Sequence, residues 1–423
     1  MVKRIKFPSG LELVFKEFKN VESASIGIWV RRGARCEPLS FKGIAHYLEH
    51  LLFKGTRNYS YKKIKQQIEG RGGQLNGFTS QEVTCYFAKI LDKNCKSAFD
   101  VLSDMVASPL LKKEDIQRER GVILEEIRMY NDMPSSRVAS ILEELIWSKH
   151  PLGMDVIGTR ESVKRISQKS LREFKNVFYR PSNIVVAVCA KSLPEDFEKI
   201  IRGKFADNPR LRPRKSPRAR FFPGLKIKQE VTSFQQTHLS LGLPGFSYSD
   251  KKRFILELVN IILGANMSSR LFEEIREKRG LAYEVSTGLR KYKDTGAFVV
   301  HCGLDSKNVE LAFKVIIKEF NKLKEKLVGR DELLRAKDYF LGNLSMLLES
   351  TLNSMLYIGE SVCTLDKVFS YQDIEREALK ITAHDIRRVC REIFSYNRLK
   401  VAIVTNRKES YASCLKRTLR SLA

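Results

Sequence analysis

Apolar positions along the chain alternate in short runs and then fall into helical stripes, and this order occurs twice. Ile26, Ile28 and Val30 share one parity, the signature of a strand with one face in a core. The spacing predicts strands over 11–15 and 24–30, helices over 43–53 and 61–69, and strands around 76–80 and 83–90. Helices over 95–107, 113–129 and 135–149 follow, then a buried strand over 183–189, apolar from Ile184 on. The second half repeats this loosely, with helices near 251–263, 269–279, 307–327 and 331–350.

The repetition has a constant offset in its clearest part. Ser167 caps an amphipathic helix that leads into the apolar run 184–188, and 215 residues later Thr382 caps a helix that leads into 399–403. Upstream, 64–73 resembles 271–280, both helical patterns closed by glycine. The expected fold is α+β: two homologous α/β sandwiches, each a mostly antiparallel sheet with helices packed on it. Residues 210–228 hold eight basic residues, three prolines and no acid, with neither helix nor strand periodicity. The expected division is therefore an N-terminal domain over 1–208, a basic linker over 209–228 and a C-terminal domain over 229–423.

Composition narrows the class. A chain of 423 residues is long for one core, and 43% hydrophobic content excludes a disordered chain. No apolar run approaches the roughly 18 residues of a membrane span, and no apolar stretch follows the basic N-terminus as in a secretory signal. Eight scattered cysteines without a C-x-x-C pair fit a reducing compartment, so a cytoplasmic location is expected. The net charge of +27 admits nucleic acid, an acidic surface or acidic peptides as partners.

Chemistry concentrates in His46-Tyr47-Leu48-Glu49-His50. Residues four apart share a helix face, so His46 and His50 present two imidazoles to one point, with Glu49 at its border. This is the H-x-x-E-H order of zinc enzymes: two neutral imidazoles bind zinc, and the carboxylate takes a proton from water. A pair of buried or capping histidines is the plainer alternative. In 113–129, Glu119 and Glu126 are two turns apart and lie on the apolar stripe with Ile123, Ile127 and Tyr130, whereas Glu125 points outside it. Carboxylates in an apolar stripe are costly unless paired or bound to a cation, which favours a metal site. His150, His238, His301 and His384 stand alone and read as structural.

His46–His50 with the following Leu51–Thr56, and the stretch Glu119–Glu126, resemble the insulinase-like (pitrilysin) metallopeptidases, in particular the half-length branch related to the mitochondrial processing peptidase. Further matching motifs lie at 72–80, 151–159, 179–183 and 269–283, so the resemblance spans most of the chain. It implies one Zn2+ per chain held by His46, His50 and Glu126, Glu49 as general base, and Glu119 as a second carboxylate supporting the site. It also implies that Asn76, Gly77, Phe78 and Thr79 belong to an edge strand to which an extended peptide substrate adds. Gly77 stands where relatives often have alanine. From the residues alone, this segment is a glycine-bounded hairpin without a ligand. Arg276 and Tyr283 match a substrate-contacting pair; on their own they read as a surface arginine and a strand tyrosine. The second half has no H-x-x-E-H.

The expected activity is a zinc-dependent endopeptidase acting on extended peptides. The resemblance further implies a homodimer in which Arg276 and Tyr283 of one protomer complete the zinc site of the other, or a heterodimer with a related subunit. An inactive supporting subunit is the first alternative, against which the intact ligand positions count. A basic nucleic-acid-binding protein is the remote one, resting on net charge without a binding motif.

Overall fold

The computed structural model describes residues 2–205 and 218–422. Its strands form two sheets. In the first, β1 (Val2–Lys6), β2 (Glu12–Glu17), β3 (Ser23–Val30), β4 (Gln74–Thr79), β5 (Thr84–Leu91) and β6 (Ile184–Ala190) run in the order β1-β2-β6-β3-β5-β4. In the second, β7 (Lys226–Val231), β8 (Thr237–Gly245), β9 (Ala282–Lys291), β10 (Gly296–Leu304) and β11 (Lys400–Thr405) run β7-β11-β8-β10-β9. Without β1 the two orders coincide, including one parallel pair in each, β2 with β6 and β7 with β11. The fold is α+β, and the duplication read from the 215-residue offset is present in the topology.

Each sheet buries both faces. In the first, Ile26, Ile28 and Val30 pack under helices Ile44–Leu52 and Cys95–Ala107, while Trp29, Cys85 and Ala187 on the opposite parity pack against helix Thr351–Leu365. In the second, Leu239, Leu241 and Phe298 face helices Arg253–Leu263 and Val309–Glu325, while Ala297, Ala402 and Val404 face helix Pro134–Ile146. Ser167 and Thr382 cap their helices by the capping boxes expected.

The domain boundaries differ from the contiguous division into 1–208 and 229–423. The described parts of Met1–Arg128, Asp155–Pro217 and Ser345–Phe369 form one compact unit; Met129–Met154, Arg218–Leu344 and Ser370–Ala423 form the other. Helix Pro134–Ile146, from the first half of the chain, covers β8 and β11, and Thr351–Leu365, from the second half, covers β3 and β6. A glycine lies at each contact, with the tighter approach at Gly359, against a rigid indole. A Cβ at Gly359 would fall 2.1 Å from Trp29 Nε1, and one at Gly242 would fall 2.6 Å from Ile146 Cδ1. The expected linker lies partly outside the described residues, over 209–217. Its end is not a tether, because Lys226 already opens β7 and Ala219 is buried.

The helix expected over 269–279 is a π-helix at Phe272–Glu277, with Lys278 N donating to Glu273 O at 2.9 Å. Cys85, Cys95, Cys189, Cys302, Cys390 and Cys414 are thiols outside any disulfide. Among the described residues, no helix is long and apolar enough to cross a membrane.

Candidate metal centre

The helix Ile44–Leu52 buries Ile44, Ala45, Tyr47, Leu48, Leu51 and Leu52, which turns His46, Glu49 and His50 to its other face. Its start is fixed from outside. Gly43 adopts φ +91°, and a Cβ there would fall 2.3 Å from Ile157 O, so only glycine fits. The fully buried Glu37 then accepts hydrogen bonds from Gly43 N (2.9 Å) and Ala45 N (2.7 Å), capping the helix in place of an N-cap side chain. Lys42 Nζ, 3.2 Å from Glu37, balances that carboxylate. Tyr47 donates its hydroxyl to Ile116 O and so ties this helix to helix Lys113–Asn131.

Helix Lys113–Asn131 brings its two inward carboxylates to the histidines. Glu126 Oε2 lies 3.8 Å from His46 Nε2 and 3.7 Å from His50 Nε2, and the three donor atoms are all within 4.8 Å of one another. Glu119 Oε2 lies 3.2 Å from His50 Nδ1, while its other oxygen takes Lys54 Nζ at 2.7 Å. Glu125 points to solvent and pairs with Arg128 at 2.9 Å, as its place off the stripe implies. Tyr130, assigned to the stripe from the sequence, is instead 43% exposed.

Electrostatics favours a cation at this point. Burial, then the neighbouring His50 charge, lowers the His46 pKa to about 4, so its ring is neutral near pH 7. Burial raises the Glu126 and Glu49 pKa values above the usual carboxylate range. The 3.7–3.8 Å separations are too long for hydrogen bonds. They sit within a few tenths of an ångström of the roughly 3.3 Å between donors of a tetrahedral zinc site. Two imidazoles and a carboxylate are the donor types zinc takes, and Glu119 against His50 is the partner that orients a ligating histidine. The residues therefore fit the metal that the sequence implies.

Glu49 stands beside the cluster and accepts a hydrogen bond from Thr79 Oγ1 at 2.7 Å. Thr79 ends β4, which among the described residues pairs only with β5 and forms the edge of its sheet. Strand parity divides the expected substrate residues. Gly77 and Thr79 face the histidine helix, a Cβ on Gly77 reaching 3.1 Å from Phe53. Asn76 shares the parity of Phe78 and reaches, at the open strand edge, the border of a cavity of ≈ 330 Å³ lined also by Glu49, His50, Phe53, Lys54 and Tyr61. Phe78 turns away from the histidine helix and stacks edge-on against Trp29, 5.6 Å between centroids, so only its backbone is offered at the edge. Arg276 and Tyr283 belong to the second unit: Arg276 lies over the Phe272 ring at 4.9 Å, and Tyr283, 48% exposed, lies against Gly303.

Lys54 and Glu37 are absent from the residues expected at the site. Lys54 lies just past the C-cap Phe53 of the histidine helix, so helical spacing does not announce its contact with Glu119. Glu37 lies in a loop ahead of the helix and carries no local signal.

The arrangement is a two-histidine, one-carboxylate centre on paired helices beside an open sheet edge. Residues 13–160 match the family described as insulinase (peptidase family M16), and residues 165–340 match its peptidase M16 inactive domain. An uncharacterized zinc protease of Streptomyces coelicolor is 34% identical over 98% of this chain and 92% of its own length. The uncharacterized zinc protease YmxG of Bacillus subtilis is 31% identical over 93% of this chain and 96% of its own. The chain belongs to peptidase family M16, the insulinase family of zinc metalloproteases. Among solved structures, a protease from Helicobacter pylori superposes with a TM-score of 0.89 at 22% identity, covering 96% of this chain and 99% of that one. A peptidase M16 inactive domain from Pseudomonas fluorescens gives 0.87 at 19%, covering 96% and 98%; these two carry the fold alone.

Proposed function

We propose that this chain is a zinc endopeptidase in which His46, His50 and Glu126 hold the ion and Glu49 is the general base. The observation that carries the reading is the convergence of three donor atoms within 4.8 Å, with the Glu49 carboxylate beside them and held by Thr79. Zinc, when bound, supplies Lewis acidity toward water and a peptide carbonyl. The chain's own residues do the rest. Glu49, with its proton affinity raised by burial, takes a proton from the attacking water and returns it to the leaving amine. Glu119 and Lys54 orient His50 through its Nδ1.

Substrate is read as an extended peptide added to the free edge of β4, held through main-chain hydrogen bonds and so largely indifferent to side chains. This favours unstructured segments over folded proteins. The test is Glu49→Gln with peptide cleavage and metal content measured together. Cleavage should fall by about four orders of magnitude or more with zinc retained, and removal of zinc by a chelator should abolish cleavage reversibly. Cleavage that persists in Glu49→Gln would exclude this carboxylate as the base.

The family resemblance extends the reading to quaternary structure: a homodimer in which a second copy of the chain brings Arg276 and Tyr283 to the site. A guanidinium suits a peptide carbonyl, and a phenol suits a developing oxyanion.

A further inference from the structure

Two of the histidines that stand alone in the sequence meet in the fold. His238 on β8 and His301 on β10 lie on the parity opposite the core residues Leu239 and Cys302. His238 Nδ1 and His301 Nε2 are 3.4 Å apart, with ring centroids separated by 5.3 Å. Ser240 Oγ lies 3.0 Å from His301 Nδ1 and fixes that ring. His301 Nε2 is thereby aimed both at His238 and at Glu284 on β9, whose Oε2 is 3.9 Å away.

The Tyr283 phenol packs over the glycine that lies between His238 and Glu284. Gly303 pairs with His238 on one side and with Glu284 on the other, and a Cβ on it would fall 2.5 Å from Tyr283 Oη. His238 is 3% exposed; the nitrogen it turns to His301 is Nδ1, while its Nε2, on the far side of the ring, is buried without a hydrogen-bond partner among the described residues. Burial lowers the pKa of both histidines, that of His238 to about 4, so both rings are neutral near pH 7. A nitrogen–nitrogen distance of 3.4 Å is at the long limit for a hydrogen bond. It matches the spacing of two donors on one ion, roughly 3.3 Å.

We propose that His238, His301 and Glu284 form a second binding site, in the second unit, for a divalent transition-metal ion. The donor set, two imidazoles and a carboxylate, suits zinc, cobalt or nickel rather than magnesium or calcium. Three adjacent strands supply it, so the ligands' backbones are held rigidly. Ser240 plays toward His301 the part that Glu119 plays toward His50, orienting a ligand through its far nitrogen. Glu284, its side chain 49% exposed, swings onto the ion by rotation, which makes this the weaker of the two sites. An ion here stands beside Tyr283.

The experiment counts ions. The full chain is stripped with chelator, dialysed against buffered free Zn2+ and analysed by mass spectrometry for metal per chain, with circular-dichroism melts as the control for folding. Wild-type protein should saturate at two ions. His301→Gln should lose the weaker one and keep the tighter one; His46→Gln should do the reverse. Glu284→Gln, at an exposed position on an edge strand, should raise the weaker dissociation constant at least ~10-fold without altering the melt, and it decides the matter if His301→Gln unfolds. The proposal is overturned if no bound ion depends on Glu284 and His301, whatever the total. Because His46→Gln reports separately on the first site, failure of one site is distinguishable from failure of the other.

Discussion

Thr79 donates its hydroxyl to Glu49 at 2.7 Å, joining the end of an edge strand to the carboxylate read as the general base. On the proposed reading, the strand that takes the peptide and the base that serves it are thereby held in one geometry. The bond also opposes burial, which raises the Glu49 pKa, by favouring the charged form. Thr79→Val keeps the shape and removes the donor. It should lower kcat roughly 10-fold with KM little changed. It should also move the acidic limb of the kcat profile to higher pH, since Glu49 must be ionised to act and loses a stabilising hydrogen bond. Thr79→Ser should restore both. An unchanged pH profile in the valine variant would separate Thr79 from the base.

How much of this was legible beforehand follows from how local each relation is. His46, Glu49 and His50 share one helix, and so do Glu119 and Glu126, so periodicity alone gives their faces. Periodicity puts Glu126 rather than Glu125 on the inward face, and Glu126 lies 3.7–3.8 Å from the two histidines while Glu125 pairs with Arg128. The Thr79–Glu49 bond joins a strand to a helix, and alternation gives the parity of Thr79 without its partner. The exchange of helices Pro134–Ile146 and Thr351–Leu365 was not readable. An amphipathic stripe announces that a face is buried, not which of two similar sheets buries it. His238 and His301 illustrate the same limit: the register of β8 on β10 brings them together, and no local pattern carries that register.

The exchanged helix gives a test of packing that is independent of chemistry. Gly359 leaves no room for a methyl group against Trp29, the nearest indole atom being 2.1 Å from an added Cβ. Gly359→Ala should therefore lower stability by about 2–3 kcal/mol, through displacement of the helix or of the indole. Gly121→Ala, on helix Lys113–Asn131 with nothing within 4 Å of its added Cβ, should raise stability by roughly 0.5–1 kcal/mol. Denaturant melts of the two variants check both signs. A neutral Gly359→Ala would mean that this helix does not lie on β3.

Metal-free protein should show the burial of His46 as a pH dependence of stability. Its folded pKa is about 4 against 6.5 for the free side chain, so between these values the unfolded chain binds a proton that the folded chain does not. Stability from this group is full above pH 6.5 and falls as pH drops toward 4, by about 2 kcal/mol between pH 7 and pH 5. Glu49 and Glu126, with raised pKa values, act in the opposite sense, so the comparison must be with His46→Gln rather than with pH alone. In chelator, the melting temperature of wild type relative to His46→Gln should fall from pH 7 to pH 5. A difference that stays constant would show that His46 is as easily charged in the fold as in the unfolded chain.

The dimeric reading has a sharper test than molecular mass. If Tyr283 of one protomer serves the zinc site of its partner, then Glu49→Gln and Tyr283→Phe disable different halves of each composite site. Each variant alone should be inactive or nearly so. Mixed and allowed to exchange subunits, half of the dimers are heterodimers, and one of the two sites in each heterodimer has both groups intact. Activity should recover to roughly a quarter of wild type. The recovery should require exchange, appearing after dilution or mild denaturant and being blocked by cross-linking beforehand. If both groups act within one chain, every site in the mixture lacks one of them, and no recovery is possible at any ratio. Partial recovery well below a quarter, rising with mixing time, would reflect slow exchange, and the limiting value at long times is the quantity that decides between the two arrangements.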